Sequence, residues 1–172
     1  MSDADLKSEV LAILGENRIM SVATVRPDGW PQATMVGYVN DGLSLYFAVA
    51  RNSQKLANIQ RDARVSIAIG HDEPDRIRGV SFAARATEVV DLAEIARLNE
   101  LIQRRYPEQA VFAPREALTA IVKATPTIVS VVDLTKGPGT PVLAVVETQV
   151  TLRPIPQDEA PVMAGPPPAR LG

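Results

Sequence analysis

Two turns that contain glycine divide the first part of the chain into short segments of β character. The Arg-Pro-Asp-Gly turn at 26–29 combines a proline that presets φ with a glycine that permits positive φ. The Asn-Asp-Gly turn at 40–42 is a strong hairpin signal. The segments 18–25, 31–40 and 43–50 that these turns separate are rich in apolar and β-branched residues. Two hairpins so early predict an antiparallel meander.

An amphipathic helix should precede these strands. Leu6, Val10, Ile13 and Leu14 recur with helical spacing, and Gly15 follows them as a stop signal. We therefore expect these four apolar side chains to lie on one buried face of the first helix.

Three further helices are predicted downstream. One begins near Ser53, and a second begins at Asp91, which forms a variant capping box with Glu94. A third is predicted over 114–123, because a proline suits the first turn of a helix and the Thr-Pro pair at 125–126 would end it.

The remaining apolar segments complete the order of elements. Strands are predicted at 64–70, 77–90, 128–134 and 142–147, with a bulge at Gly79 in the longest of them. About seven short strands with intercalated helices favour an α+β fold, a small antiparallel split β-barrel of Greek-key type with flanking helices.

The domain boundary is predicted near the end of the last strand. Residues 1–152 should form one domain, since typical domains have about 100–200 residues. Six of the 14 prolines lie between Pro154 and Pro168. Residues 153–172 are therefore interpreted as an extended or disordered tail that adds no core element.

The composition excludes several classes of chemistry. The chain has 172 residues with no cysteine, one histidine and a net charge of −2. Disulfides and thiolate metal sites are thereby excluded, and we expect neither a metal centre nor a nucleic-acid or membrane partner. The first residues lack the features of a signal peptide, and no apolar run approaches the ~18 residues that span a bilayer. These observations predict a soluble, cytoplasmic protein.

One segment has a charge pattern that points to a ligand. A strand ends near Ala50, and Arg51 and Lys55 flank the start of the next helix, whose N-cap is Asn52 or Ser53. A cation in the first helical turn faces the positive end of the helix dipole, which is unfavourable by some tenths of a kcal/mol. A bound phosphate would compensate this mismatch. Alternatively, the two cations are solvated surface charges beside nearby carboxylates.

A resemblance supports the first alternative. In their order and spacing, several segments resemble the flavin-binding split-barrel proteins related to pyridoxamine 5′-phosphate oxidase, over about residues 17–139. The segments that carry the resemblance are 20–25 followed by Asp28-Gly29-Trp30-Pro31, 32–37, Ser53-Gln54-Lys55 with Asn58, Arg64-Val65-Ser66, and 133–139.

The resemblance implies a set of residues that would bind FMN. Arg51, Ser53 and Lys55 would hold the phosphate, and Gln54 stands where many oxidases carry an arginine, which implies a weaker or missing contact. The residues implied along the ring are Gln32, Ala33, Thr34, Met35 and Val36 on one strand, with Ala48 and Val49 flanking the ring or the ribityl chain.

The resemblance also implies a class of function. Members pair two chains and bind the flavin between them, so a homodimer and an FMN-dependent oxidoreductase acting on a small molecule are expected. No catalytic side chain is required, because the flavin itself transfers hydride and electrons. A deazaflavin-dependent reductase and a non-catalytic flavin- or haem-binding sensor or carrier are the alternatives. Nothing after Val150 matches the substrate segment of the true oxidases, so oxidation of pyridoxamine phosphate is not expected.

Overall fold

The structure is a computed structural model that describes residues 3–71, 77–108, 118–133, 142–146 and 152–155. None of the helices in these ranges has the length and apolar character needed to cross a membrane.

The described residues form an α+β fold in which three helices surround an antiparallel sheet. The helices are α1 (Asp3–Glu16), α2 (Gln54–Arg61) and α3 (Leu92–Arg105). The strands are β1 (Ile19–Val25), β2 (Pro31–Gly37), β3 (Val39–Asp41), β4 (Ser44–Ala50), β5 (Arg64–His71), β6 (Arg78–Glu88), β7 (Thr119–Asp133), β8 (Val142–Val146) and β9 (Leu152–Ile155).

The order of strands differs from the predicted meander. Both early hairpins form, but they lie at opposite ends of the path β2-β1-β5-β6-β7-β4-β3. Burial explains this separation. No residue of β2 is fully buried, as expected of an edge strand, whereas the first four residues of β4 are all buried and need neighbours on both sides and cover on both faces. β4 therefore pairs with β7 as well as with β3.

One hydrophobic cluster fills the inner face of the sheet, and a second cluster covers part of the outer face. The main core includes Leu6, Val10, Ile13 and Leu14 of α1, all fully buried, which confirms the predicted face of this helix. A second cluster joins α3 to the sheet and consists of Val39, Tyr46, Val89, Ile95, Leu98, Ile102 and Ile121. This second cluster packs α3 against the outer face of β3, β4 and β7.

The prediction of a helix over 114–123 is wrong for the residues of this range that the structure describes. Residues 119–123 belong to β7, where β4 pairs with one edge of the strand and β6 with the other. Ala120, Val122 and Ala124 fill the main core from this strand, so tertiary pairing overrides the local signal. Pro126 is accommodated at a register shift, where pairing with β6 moves between Ala83 and Ala84.

The bulge predicted at Gly79 is also misplaced. Gly79 pairs in regular register with Gly70, and a Cβ on Gly70 would lie 2.8 Å from the carbonyl oxygen of Arg78. Glycine is needed here because two backbones approach closely, and the irregularity lies at 83/84 instead.

At the carboxyl end of the described chain, β9 extends through Ile155 and pairs with β8. The strand thus continues three residues past the boundary that the sequence suggested. Residues 156–172 lie outside the described residues.

Candidate functional site

Helix α2 begins directly after β4, at the segment that the sequence singled out. Ser53 is its N-cap, with extended backbone, and its hydroxyl accepts a hydrogen bond from the backbone N–H of Leu56 at 3.2 Å. The N–H groups of Gln54 and Lys55 have no acceptor among the described residues. Two backbone donors are therefore open to an oxyanion at this helix start.

Lys55 is a half-buried cation in the first turn of α2. Burial lowers the pKa of its ammonium group below the ordinary value. In the described part of the chain, no carboxylate lies within ion-pair distance of it. A desolvated ammonium without a counterion beside free N–H groups is a favourable place for an anion.

Arg51 is directed elsewhere. Its guanidinium forms an ion pair of 2.9 Å with Glu88 and lies 3.5 Å from the carbonyl oxygen of Thr119. Its own backbone N–H donates to the carbonyl of Leu118. The structure thus gives Arg51 a carboxylate partner on β6, which the sequence alone did not indicate, and leaves Lys55 as the unpaired cation of the two.

The five residues predicted along the ring alternate on the edge strand β2. Gln32, Thr34 and Val36 are half-buried and stand opposite inward-facing residues of β1, whereas Ala33 and Met35 are exposed on the outer face. The hydroxyl oxygen of Thr34 is buried and has no hydrogen-bond partner among the described residues. An unsatisfied buried hydroxyl is costly, and a ligand along β2 could satisfy it.

The two residues predicted from β4 have different environments. Val49 is buried and belongs to the main core, and Ala48 is half-buried on the opposite face of the strand. They pair with Ala120 and Ile121 of β7. Only Ala48 therefore has surface left for a ligand.

A polar network that the sequence did not predict lies beneath the helix start. Asn58 is fully buried in α2, where its amide oxygen accepts from Gln54 Nε2 at 2.8 Å. Its amide nitrogen donates to Thr24 Oγ1 at 3.0 Å and to Gln32 Oε1 at 3.2 Å. In the sequence, the one sign of this network is a polar residue, Asn58, between the apolar residues Leu56 and Ile59 on the buried face of α2.

This network underlies an open pocket between the β1–β2 turn and α2. Its volume is about 380 Å³, and its lining residues are Arg26, Pro27, Asp28, Gln32 and Gln54. Two of the predicted site residues, one on a strand and one on a helix, therefore meet at one pocket. Arg51, Ser53 and Lys55 are not part of its lining.

The residues present fit FMN in part. The counterion-free Lys55 and the open N–H groups suit a phosphate, and the unsatisfied Thr34 hydroxyl suits the polar atoms of a flavin. Arg51 pairs with Glu88 in this structure, so a contact with the phosphate would require this ion pair to open, and its implied role stays a prediction.

Comparisons with known proteins agree with this fold. A family model described as pyridoxamine 5′-phosphate oxidase matches residues 6–133. General stress protein 26 of Bacillus subtilis is 31% identical over 72 residues, 42% of this chain and 51% of that protein, so the match spans about half of this curated relative.

Two solved structures share the architecture. One is a pyridoxamine 5′-phosphate oxidase-related, FMN-binding protein from Nostoc punctiforme, with 20% identity and a TM-score of 0.66 over 91% of this chain and 100% of that one. The other is a heme-binding protein from Mycobacterium smegmatis, with 19% identity and a TM-score of 0.61 over 84% and 58% of the two chains. With the family model matching most of its length, the chain belongs to the pyridoxamine 5′-phosphate oxidase family and has its split-barrel fold.

Proposed function

We propose that this protein binds FMN and acts as an oxidoreductase on a small molecule. The phosphate would lie at the start of α2 and the ring along β2. The observation that carries the proposal is Lys55, a half-buried ammonium group with no carboxylate partner in the described residues. A buried charge without a counterion is destabilising, and an anionic ligand removes this cost.

The residues of the chain would bind and orient the cofactor. Lys55 and the N–H groups at the start of α2 would neutralise the phosphate, and the Thr34 hydroxyl would hydrogen-bond the ligand along β2. When bound, FMN supplies hydride and electron transfer. No side chain is assigned a catalytic role.

The names of two structural neighbours suggest different ligands. One is named FMN-binding and the other heme-binding, and both share the fold at low identity. Lys55 and the free N–H groups form an anion site that suits the phosphate of FMN, and the single histidine of the chain leaves haem few axial ligands.

The first test is the ligand itself. We expect the purified protein to be yellow, or to quench the fluorescence of added FMN on binding, and mass spectrometry should identify FMN. A bound deazaflavin or haem, or the failure of any flavin to bind, would overturn the proposal. In a protein that binds FMN, reduction of the flavin by a reduced nicotinamide would support the oxidoreductase role, and the lack of reduction by any donor would favour a carrier or sensor.

The second test is the phosphate contact. Lys55→Met should weaken FMN binding about 10- to 100-fold, as expected for the loss of a charge-assisted contact. Lys7→Met is the control, since this lysine is half-buried on α1, away from the site. Equal affinities in wild type and Lys55→Met would place the phosphate elsewhere.

A homodimer is the assembly that we propose, with the flavin at its interface. Exposed apolar side chains mark β2, where Met35 is 68% exposed, and the adjacent turn, where Trp30 is 71% exposed. Between them runs a row of small, uncharged residues across four paired strands: Ala33, Ala23, Ser66 and Ala83. A flat neutral face of this kind lets a second sheet approach closely.

Sedimentation velocity tests this assembly. Met35→Glu should convert dimers into monomers and weaken FMN binding, whereas Val90→Glu, at an equally exposed position away from β2, should leave the dimer intact. A wild-type monomer that binds FMN tightly would contradict the proposed interface.

A further inference from the structure

Lys55 differs from the other lysines of the chain in its surroundings. The sequence contains four lysines, Lys7, Lys55, Lys123 and Lys136, and the last of them lies outside the described residues. We propose that Lys55 is a modification site, at which the side-chain amine of the flavin-free protein accepts a small acyl group from an acyl phosphate or a thioester. The consequence of this reaction for the cofactor, argued below, rests on the proposed flavin binding.

The surroundings of Lys55 favour the neutral amine, which is the nucleophile in acyl transfer. The side chain is half-buried in the first turn of α2, a turn that contains no acidic residue. Among the described residues, no carboxylate forms an ion pair with it. The helix dipole also disfavours a cation at this end of the helix. Burial lowers the pKa of the amine, so a larger fraction of it is deprotonated near neutral pH.

The other two described lysines lack this combination. Lys123 Nζ donates to Glu94 Oε1 at 2.8 Å, and this hydrogen bond raises the pKa of the ammonium group. Lys7 is half-buried on α1, but it lies beyond the first turn of that helix, which includes the acidic residue Asp5. Since a protonated amine cannot attack a carbonyl group, Lys123 should react slowest of the three.

The reaction is an acyl transfer without any change of oxidation state. The lone pair of Lys55 Nζ forms a bond to the acyl carbon, and the bond from that carbon to the phosphate oxygen or the thioester sulfur breaks. Phosphate or thiol leaves with the electron pair, and the proton that Nζ loses passes to the leaving group or to water. Negative charge develops on the acyl oxygen during this step. The open N–H groups of Gln54 and Lys55 are donors of the kind that stabilise such an oxyanion.

Acylation of Lys55 would control the loading of the cofactor. The amide product is neutral, so the modification removes the cation that is proposed to bind the phosphate of FMN. The half-burial of the side chain limits the modification to a small acyl group. Bound flavin would in turn cover the amine. Acylated protein should therefore bind FMN poorly, and protein loaded with FMN should resist acylation at this position.

Competitive labelling of the flavin-free protein tests the site. One arm uses limiting acetyl phosphate and the other uses acetyl-CoA, and mass spectrometry of peptides measures acetylation at each lysine. Lys55 should be acetylated at least about threefold faster than Lys7, with Lys123 slowest. Its rate should level off below about pH 10.4, the pKa of an ordinary lysine amine. The arm with the larger ratio of Lys55 to Lys7 identifies the source of the acyl group.

A variant separates acylation of Lys55 from acylation elsewhere. Acetylation of wild type should weaken FMN binding about tenfold or more, as for the loss of a charge-assisted contact. Lys55→Arg retains a charge but offers no amine, so the same treatment should not alter whatever FMN affinity this variant has. Saturation of wild type with FMN before treatment should protect Lys55 and leave the labelling of Lys7 unchanged.

Three results would overturn the inference. They are labelling of Lys55 no faster than that of Lys7 in both arms, unchanged FMN affinity in wild type whose Lys55 is fully acetylated, and equal losses of affinity on treatment of wild type and Lys55→Arg. Failure of the proposed function looks different, because untreated wild type would then bind no flavin. The relative labelling rates of Lys55 and Lys7 would still decide whether Lys55 is a modification site.

Discussion

Arg105, at the end of α3, is predicted to be among the most important single side chains for stability. Its guanidinium donates to four acceptors on two other parts of the chain, namely Leu14 O at 2.7 Å, Gly15 O at 3.2 Å, Asn17 O at 2.8 Å and Asn40 Oδ1 at 2.7 Å. Three of these acceptors are carbonyl groups at or beyond the end of α1, which lack partners within the helix. Arg105 thus caps α1 from another helix.

The magnitude follows from these bonds. Each of the three short bonds contributes on the order of 1 kcal/mol net, and the guanidinium also lies over the rings of Tyr38 and Tyr106 at 5.7 and 5.4 Å, a cation–π arrangement. We expect Arg105→Ala to reduce the free energy of unfolding by about 3–4 kcal/mol, a large fraction of the 5–15 kcal/mol typical of a domain.

Urea denaturation monitored by circular dichroism measures this loss. Arg104→Ala is the matched control, because Arg104 is 75% exposed and its one ion pair in the described chain is with Glu100, one turn away. That substitution should cost no more than about 0.5 kcal/mol. If the two variants fall within 1 kcal/mol of each other, on the order of the error of such measurements, the capping argument is refuted.

Three further predictions concern local chemistry. Lys123 donates a hydrogen bond to Glu94 and holds the pKa of that carboxyl below its usual value. Glu94→Gln should therefore lower the free energy of unfolding by about 1–2 kcal/mol at neutral pH. In urea denaturation, the difference from wild type should vanish as the pH falls through the lowered pKa. Gly70→Ala should lower the melting temperature because of the 2.8 Å contact, whereas Gly15→Ala, with nothing within 4 Å, should raise it. FMN affinity should fall as pH rises through the lowered pKa of Lys55, and not in Lys55→Met.

Features that depend on local signals could be predicted from the sequence. Ser53 and Asp91 both cap their helices through side-chain oxygens, as their positions before apolar periodic segments indicated. Gly29 and Gly42 adopt positive φ in the two turns. In each case the residues that interact are a few positions apart, so the pattern contains both partners.

Features that depend on distant pairing could not be predicted. Arg51 and Lys55 are close in sequence, yet the carboxylate partner of Arg51 is Glu88 on β6. The acceptors of Arg105 lie 65 to 91 residues away along the chain. A single sequence contains no signal for such pairs.

The edge strand β2 connects two polar networks that the sequence did not predict, one around Asn58 and one around Arg105. Since none of its side chains is fully buried, hydrophobic packing fixes β2 weakly, and polar contacts must position it. Asn58 binds Gln32 near its start, and Tyr38, directly after its end, donates to the same Leu14 carbonyl oxygen that Arg105 binds.

The polar contacts at the carboxyl end of β2 should therefore affect binding of the flavin ring. A variant that loosens its carboxyl end disturbs the strand along the proposed ring, which FMN and riboflavin share. Arg105→Lys keeps the charge but cannot reach four acceptors, so it should weaken both flavins by similar factors in protein that is still folded. Fluorescence titration of wild type and this variant with both flavins tests the effect, and a loss confined to FMN in Arg105→Lys would mean that β2 does not bear the ring.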